Sequence, residues 1–101
     1  MRFLLIALFA LPVPAFAAGV CVENASETAY LFVAHADDGP RRVSNLAPGG
    51  TLCSEGDAKG TVGVFAAIDD FEGCSRRIPA NTTERLVLFP HVDLCTWERV
   101  E

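Results

Sequence analysis

The chain has 101 residues, 50% of them hydrophobic, with 13 acidic against 8 basic side chains and a formal net charge of −5. That length holds one small domain. The acidic balance disfavours nucleic acid and anionic membrane as partners, since both are recognised by basic surface.

Met1 to Ala17 has the pattern of a secretory signal peptide. Arg2 supplies a short positive start, Phe3 to Leu11 is an unbroken apolar run, Pro12 and Pro14 interrupt it, and Ala15-Phe16-Ala17 forms a small-x-small cleavage site. Cleavage there leaves residues 18–101 as a single domain in a secreted or periplasmic setting. The run is too short to span a bilayer, which takes about 20 apolar residues, and no later stretch approaches that length, so membrane insertion is not expected. Lipidation of Cys21 is disfavoured, because Val20 occupies the place where a small residue is needed and three cysteines would be left over. The brief signal with one arginine has a bacterial character, so the sequons at Asn24-Ala25-Ser26 and Asn81-Thr82-Thr83 are expected to go unused.

After the signal, short apolar runs alternate with turn residues. Val20-Cys21-Val22 opens a strand that Asn24-Ala25-Ser26-Glu27 closes. Thr28 to His35 is the strongest strand: Tyr30, Phe32 and Ala34 face one way, Leu31 and Val33 the other. A strand apolar on both faces is expected to be central or covered by a loop. Asp37-Asp38-Gly39-Pro40 is a turn, and Arg41 to Leu46 a weaker, partly exposed strand. Pro48-Gly49 specifies a tight turn, proline presetting φ at its second position and glycine accepting positive φ at its third. Thr51 to Ser54 is a short strand and Glu55 to Gly60 a polar loop. In Thr61 to Ile68, Val62, Val64, Ala66 and Ile68 share a face. Phe65 lies on the other beside Gly63, whose missing side chain leaves room for close packing. Asp69 to Gly73 is an acidic loop, Cys74 to Ile78 a brief strand, Pro79 to Thr83 a turn, and Arg85 to Phe89 a strand stopped by Pro90. Leu94 to Val100 closes the chain with Cys95 and Trp97 on one face. Seven to eight short strands without a convincing helix predict an all-β domain, a small antiparallel β-sandwich or open barrel.

A domain of this size buries a modest share of its surface and calls for staples. Cys21, Cys53, Cys74 and Cys95 supply an even number of thiols for an oxidising compartment. Three pairings are possible. The favoured one is Cys21–Cys53 with Cys74–Cys95, stapling each half of the chain. The rival, Cys21–Cys95 with Cys53–Cys74, ties the ends together.

The chemistry-bearing residues are sparse. His35 and His91 each close an apolar run near acids, but no HExxH motif or tight Cys/His spacing accompanies them. A metal site would need them to meet in space, so histidines at strand ends are the simpler expectation. Asp37-Asp38 and Asp69-Asp70-Phe71-Glu72 lack the spacing of a calcium loop and fit solvated turns. No serine sits in a G-x-S-x-G elbow, and the cysteines lie too far apart for a C-x-x-C redox pair. The expectation is therefore a non-catalytic secreted or periplasmic domain, monomeric and without cofactor, that binds another protein or supports an envelope assembly. The alternatives are a metal-binding domain using His35 and His91 and a small hydrolase. If there is a protein-binding surface, its expected centre is the segment from Asp69 to Arg77. There Phe71 would be an aromatic anchor beside the cations Arg76 and Arg77, with Cys74 restraining the loop. The bland counterpart has Phe71 folded back on the domain and the arginines solvated or paired with nearby acids.

Overall fold

The structure, a computed structural model, describes residues 19–65, 73–89 and 95–100. The segments assigned to the signal peptide, to Phe71 with its neighbouring acids and to His91 lie outside them.

Eight strands follow one another without a helix among the described residues: β1 (Gly19–Asn24), β2 (Tyr30–Ala36), β3 (Arg41–Leu46), β4 (Thr51–Glu55), β5 (Gly60–Phe65), β6 (Gly73–Ile78), β7 (Thr82–Leu88) and β8 (Thr96–Val100). They form two four-stranded sheets, ordered β4-β1-β7-β8 and β3-β2-β5-β6, packed as a sandwich. Five of the six ladders are antiparallel, and β1 runs parallel to β7.

Alternation sets the inner faces. β1 contributes Val20 and Val22, β2 contributes Phe32, Ala34 and Ala36, β5 contributes Val62 and Val64, and Ile78 and Leu86 come from β6 and β7. Trp97 packs against this core from β8, and Tyr30 meets Phe89 edge-on with ring centroids 5.1 Å apart. As expected for a strand apolar on both faces, β2 is central, flanked by β3 and β5. The Pro48-Gly49 turn also forms: Gly49 has φ 92° and the Gly50 amide donates to the Ala47 carbonyl.

Two buried polar side chains tie strand ends together. The Asn24 amide, fully buried, donates to the carbonyls of Thr28 and Leu46 and accepts from the Ser26 amide and hydroxyl. The Ser54 hydroxyl donates to the Pro40 carbonyl and accepts from the Ala36 amide, joining β4 to the β2–β3 hairpin. Such groups stay buried because each of their polar atoms finds a partner.

The disulfides are Cys21–Cys53 and Cys74–Cys95, the half-by-half pairing. They do different work. Cys21 and Cys53 are direct neighbours on β1 and β4 of one sheet. Cys74–Cys95 joins β6 to the residue before β8 and so fastens one sheet to the other. Intramolecular disulfides of this kind are typical of extracellular or periplasmic proteins.

Several boundaries shift by one or two residues from the sequence reading, and one shifts further. β7 begins at Thr82 inside the expected turn, which narrows to Ala80 and Asn81, with Asn81 at φ 62°. Thr82 and Thr83 are β-branched residues that suit a strand. The Asn81 amide donates to the Gly19 carbonyl, which seats β7 beside β1.

Candidate functional site

The outward faces of the two sheets differ in chemistry. On β4-β1-β7-β8, one row runs Thr51–Glu23–Arg85–Glu98 across the four strands. Arg85 lies between two carboxylates, 3.3 Å from Glu23 and 3.1 Å from Glu98. The next row carries the Cys21–Cys53 bridge. The one guanidinium of the Thr51–Glu23–Arg85–Glu98 row is thus taken by carboxylates of the same face.

On β3-β2-β5-β6 the register produces three rows. The first is Arg41–His35–Thr61–Arg77, the second Val43–Val33–Gly63–Ser75, the third Asn45–Leu31–Phe65–Gly73. Apolar side chains thus occupy the outside of the sheet, where an antiparallel sandwich ordinarily shows polar ones to water. Leu31 and Val33 are nearly covered, whereas Val43 remains 42% exposed.

Gly63 is the floor of a shallow depression of about 300 Å³ on this face. Val33 stands on one side and Ser75 on the other, Phe65 closes the apolar end, and His35, Arg41 and Thr61 form the polar end. A Cβ on Gly63 would lie 3.2 Å from the Cys74 carbonyl oxygen, 3.5 Å from Ser75 Cβ and 3.8 Å from Phe65 Cε2. A larger residue at this position would therefore fill the trough, which exists because position 63 has no side chain.

The arginines of the polar row are in different states. Arg77 donates to both carboxylate oxygens of Asp37, at 2.9 and 2.7 Å, and to the Thr61 hydroxyl. Its guanidinium holds the Asp37 carboxyl below the usual range. Arg41 is exposed and makes no salt bridge among the described residues. Its sequence neighbour Arg42 faces the other way and pairs with Glu55 at 2.8 Å.

The adjacent pair Arg76-Arg77 is split by strand alternation. Arg77 joins the outer face, while Arg76 turns inward to Glu84, 3.6 Å away. Phe71 falls in the segment joining Phe65 to Gly73, the two ends of the third row, outside the described residues. His35 lies on the outer face between Arg41 and Thr61, and His91 lies outside the described residues. Among the described residues no group of three or more His, Cys, Asp or Glu side chains is placed to hold a metal ion. The Asp38 carboxylate acts as a loop clasp. It accepts the amides of Asp57 and Ala58, pinning the β2–β3 turn to the β4–β5 loop, and these amides lower its pKa.

Ser75 and His35 both border the depression, but β5 separates their strands. Two interstrand spacings, about 10 Å, lie between them, far beyond the contact that a nucleophile and its base require. The sequence reading did not single out Arg41, Val43 or Gly63 as site residues. The signal for them was the double-sided apolar pattern of β2, which implied that something apolar lay beside Leu31 and Val33.

No protein family, no curated protein and no solved structure matches the chain. Among the described residues no helix is long and apolar enough to cross a membrane.

Proposed function

We propose that this is a non-catalytic secreted or periplasmic binding domain that recognises another protein through the outer face of β3-β2-β5-β6. The observation that carries the reading is the trough over Gly63, bordered by Arg41, which has no acidic partner among the described residues, with exposed Val43 beside Val33 in the same row. A recessed apolar site with a charged margin is the usual plan of a recognition surface, where a few anchored side chains provide most of the affinity. The other sheet also carries exposed apolar side chains, Val87 and Leu88, but the guanidinium of its Glu23–Arg85–Glu98 ladder is already taken by its own carboxylates. Arg77 lies on the proposed face, and β6, into which the segment containing Phe71 leads, forms one edge of it. Of the expected binding region from Asp69 to Arg77, the described part, β6, forms one flank of this larger surface.

A photo-cross-linking side chain at Ser75, beside the trough, tests this in the native extracellular or periplasmic environment. The control carries the same group at Thr51, on the other sheet's outer face. A discrete protein adduct from position 75 alone is the expected result. Equal labelling from both positions, or none from position 75, would sink the reading.

A further inference from the structure

We infer that the partner presents an extended segment bearing an apolar side chain and a carboxylate two residues apart. This rests on the reading of the face as a binding surface and specifies what lies on it. Three observations lead there.

The first is spacing. The row containing Val33 and Gly63 and the row containing His35 and Thr61 are two residues apart on their strands, about 6.8 Å along an antiparallel strand. In an extended peptide, side chains at i and i+2 point to one side with that same separation. A segment laid along β2 and β5 with one side chain over Gly63 therefore brings the next same-side residue over the Arg41–His35 row.

The second is charge. Arg42 is held by Glu55 and Arg77 by Asp37, but Arg41 lacks an acidic partner among the described residues. A guanidinium left over on the rim of an apolar trough, in a chain of net charge −5, fits a carboxylate brought by the partner. A lysine or arginine at i+2 would meet it as a like charge.

The third is size and shape. A depression of about 300 Å³ takes one aliphatic or aromatic side chain. Leu31 and Val33 of this face are nearly covered, and Val43 is its one large apolar side chain among the described residues that stands exposed. That suits insertion of a side chain and not adsorption to a lipid surface, which needs protruding apolar groups and several free cations.

The test is an NMR titration of the isotopically labelled, oxidised protein with blocked five-residue peptides. One carries leucine and glutamate two residues apart. The others replace that glutamate with glutamine or lysine. The expected result is saturable shifts of the Val33, Gly63 and Arg41 amides by the glutamate peptide. An exposed ion pair sets the expected weakening for glutamine at about 1.5- to fivefold, with lysine weaker still. Arg41→Gln should erase the glutamate preference. Ser75→Phe, which crowds the trough from an exposed position, should block all the peptides, with the rest of each variant's spectrum confirming the fold. If glutamate, glutamine and lysine peptides bind this face equally, the inference fails while the face survives as a binding surface. If no peptide perturbs the face and position 75 cross-links nothing, both fail. Binding of 3-phenylpropionate as tight as that of the glutamate peptide, or binding to phosphatidylglycerol vesicles that depends on Arg41, would also overturn a protein segment as the occupant.

Discussion

Arg99 Nε donates to Glu84 Oε1 at 2.5 Å, placing an ion pair between the sheets where a sandwich of this size would be expected to bury hydrocarbon. Glu84 is 1% exposed, and its second oxygen faces Arg76 from the opposite sheet. Arg76 and Arg99 sit on the edge strands β6 and β8 with their charges turned inward. Inward charges on edge strands oppose edge-to-edge pairing with another chain. The cluster therefore closes the seam between the sheets and guards both of its edges.

The two obvious substitutions should differ in cost. Arg99→Met removes the closer partner of a buried carboxylate and leaves Arg76, 3.6 Å away, so the loss should approach that of a stranded buried charge, about 3 kcal/mol. Glu84→Gln removes that charge. The two arginines, which are 30% and 44% exposed, can then turn to water, so the loss should be nearer 1 kcal/mol. Urea unfolding of both variants measures the difference. Equal losses, or a larger loss for Glu84→Gln, would show that the carboxylate is not desolvated as the structure has it.

The disulfides give a second contrast. Their sequence separations are 32 and 21 residues, for which chain entropy alone gives similar contributions of about 3–4 kcal/mol each. The folded states should respond differently. Cys21 and Cys53 are already neighbours in the β1–β4 ladder, so Cys21→Ala/Cys53→Ala should lower stability without opening any one region. Cys74 and Cys95 are not ladder partners, so Cys74→Ala/Cys95→Ala should also free β8 and the β6 edge. Amide hydrogen exchange would show selective loss of protection in β6 and β8 for the second variant only. Uniform loss in both would mean that Cys74–Cys95 has no local role.

The strands were legible because they alternate cleanly and Pro-Gly or Asp-Gly punctuation bounds several of them. Two disulfides followed from an even count and a need for staples, but neither chooses among the three pairings; the pairing by halves is set by the β1–β4 register and by the seam between β6 and β8. The parallel β1–β7 ladder was not legible, because alternation carries no strand direction. Nor was the start of β7: Thr82 and Thr83 follow Pro79 and Asn81 and read as the end of a turn, and the inward orientation of Glu84 depends on Arg76 and Arg99 from other strands. The trough was half visible. Leu31, Val33 and Phe65 could be assigned to an outer face from local pattern, but their alignment with Val43, Gly63 and Arg41 is a matter of register between strands.

Asn24 supplies a third prediction. Its side chain makes four hydrogen bonds in a fully buried position. Asn24→Ala would leave the Leu46 carbonyl and the Ser26 amide without the partner Asn24 gives them, and buried groups left unsatisfied cost about 1–3 kcal/mol each. Asn24→Asp is the informative comparison. It keeps the acceptor for Ser26 but turns an anion toward two carbonyl oxygens, so it should unfold at lower urea than Asn24→Ala. A more stable aspartate variant would mean that the amide nitrogen contributes little.

The loops near the polar row predict how the fold responds to acid. The carboxyls of Asp37, Asp38 and Glu55 are all held below their ordinary values, by Arg77, by the Asp57 and Ala58 amides, and by Arg42 respectively. A carboxyl with a depressed folded-state pKa favours folding above its unfolded value, near pH 4, and that contribution disappears as pH falls through the lower folded-state value. From these groups, the melting temperature should therefore change little between pH 7 and about pH 5 and fall below about pH 4. Asp38→Asn keeps one acceptor for the loop amides but removes the charge. It should melt lower at pH 7 and lose less on acidification, so the two melting curves converge toward pH 2. Parallel curves, with the same offset at both extremes, would show that Asp38 contributes through shape alone and that its charge is not what pins the β2–β3 turn to the β4–β5 loop.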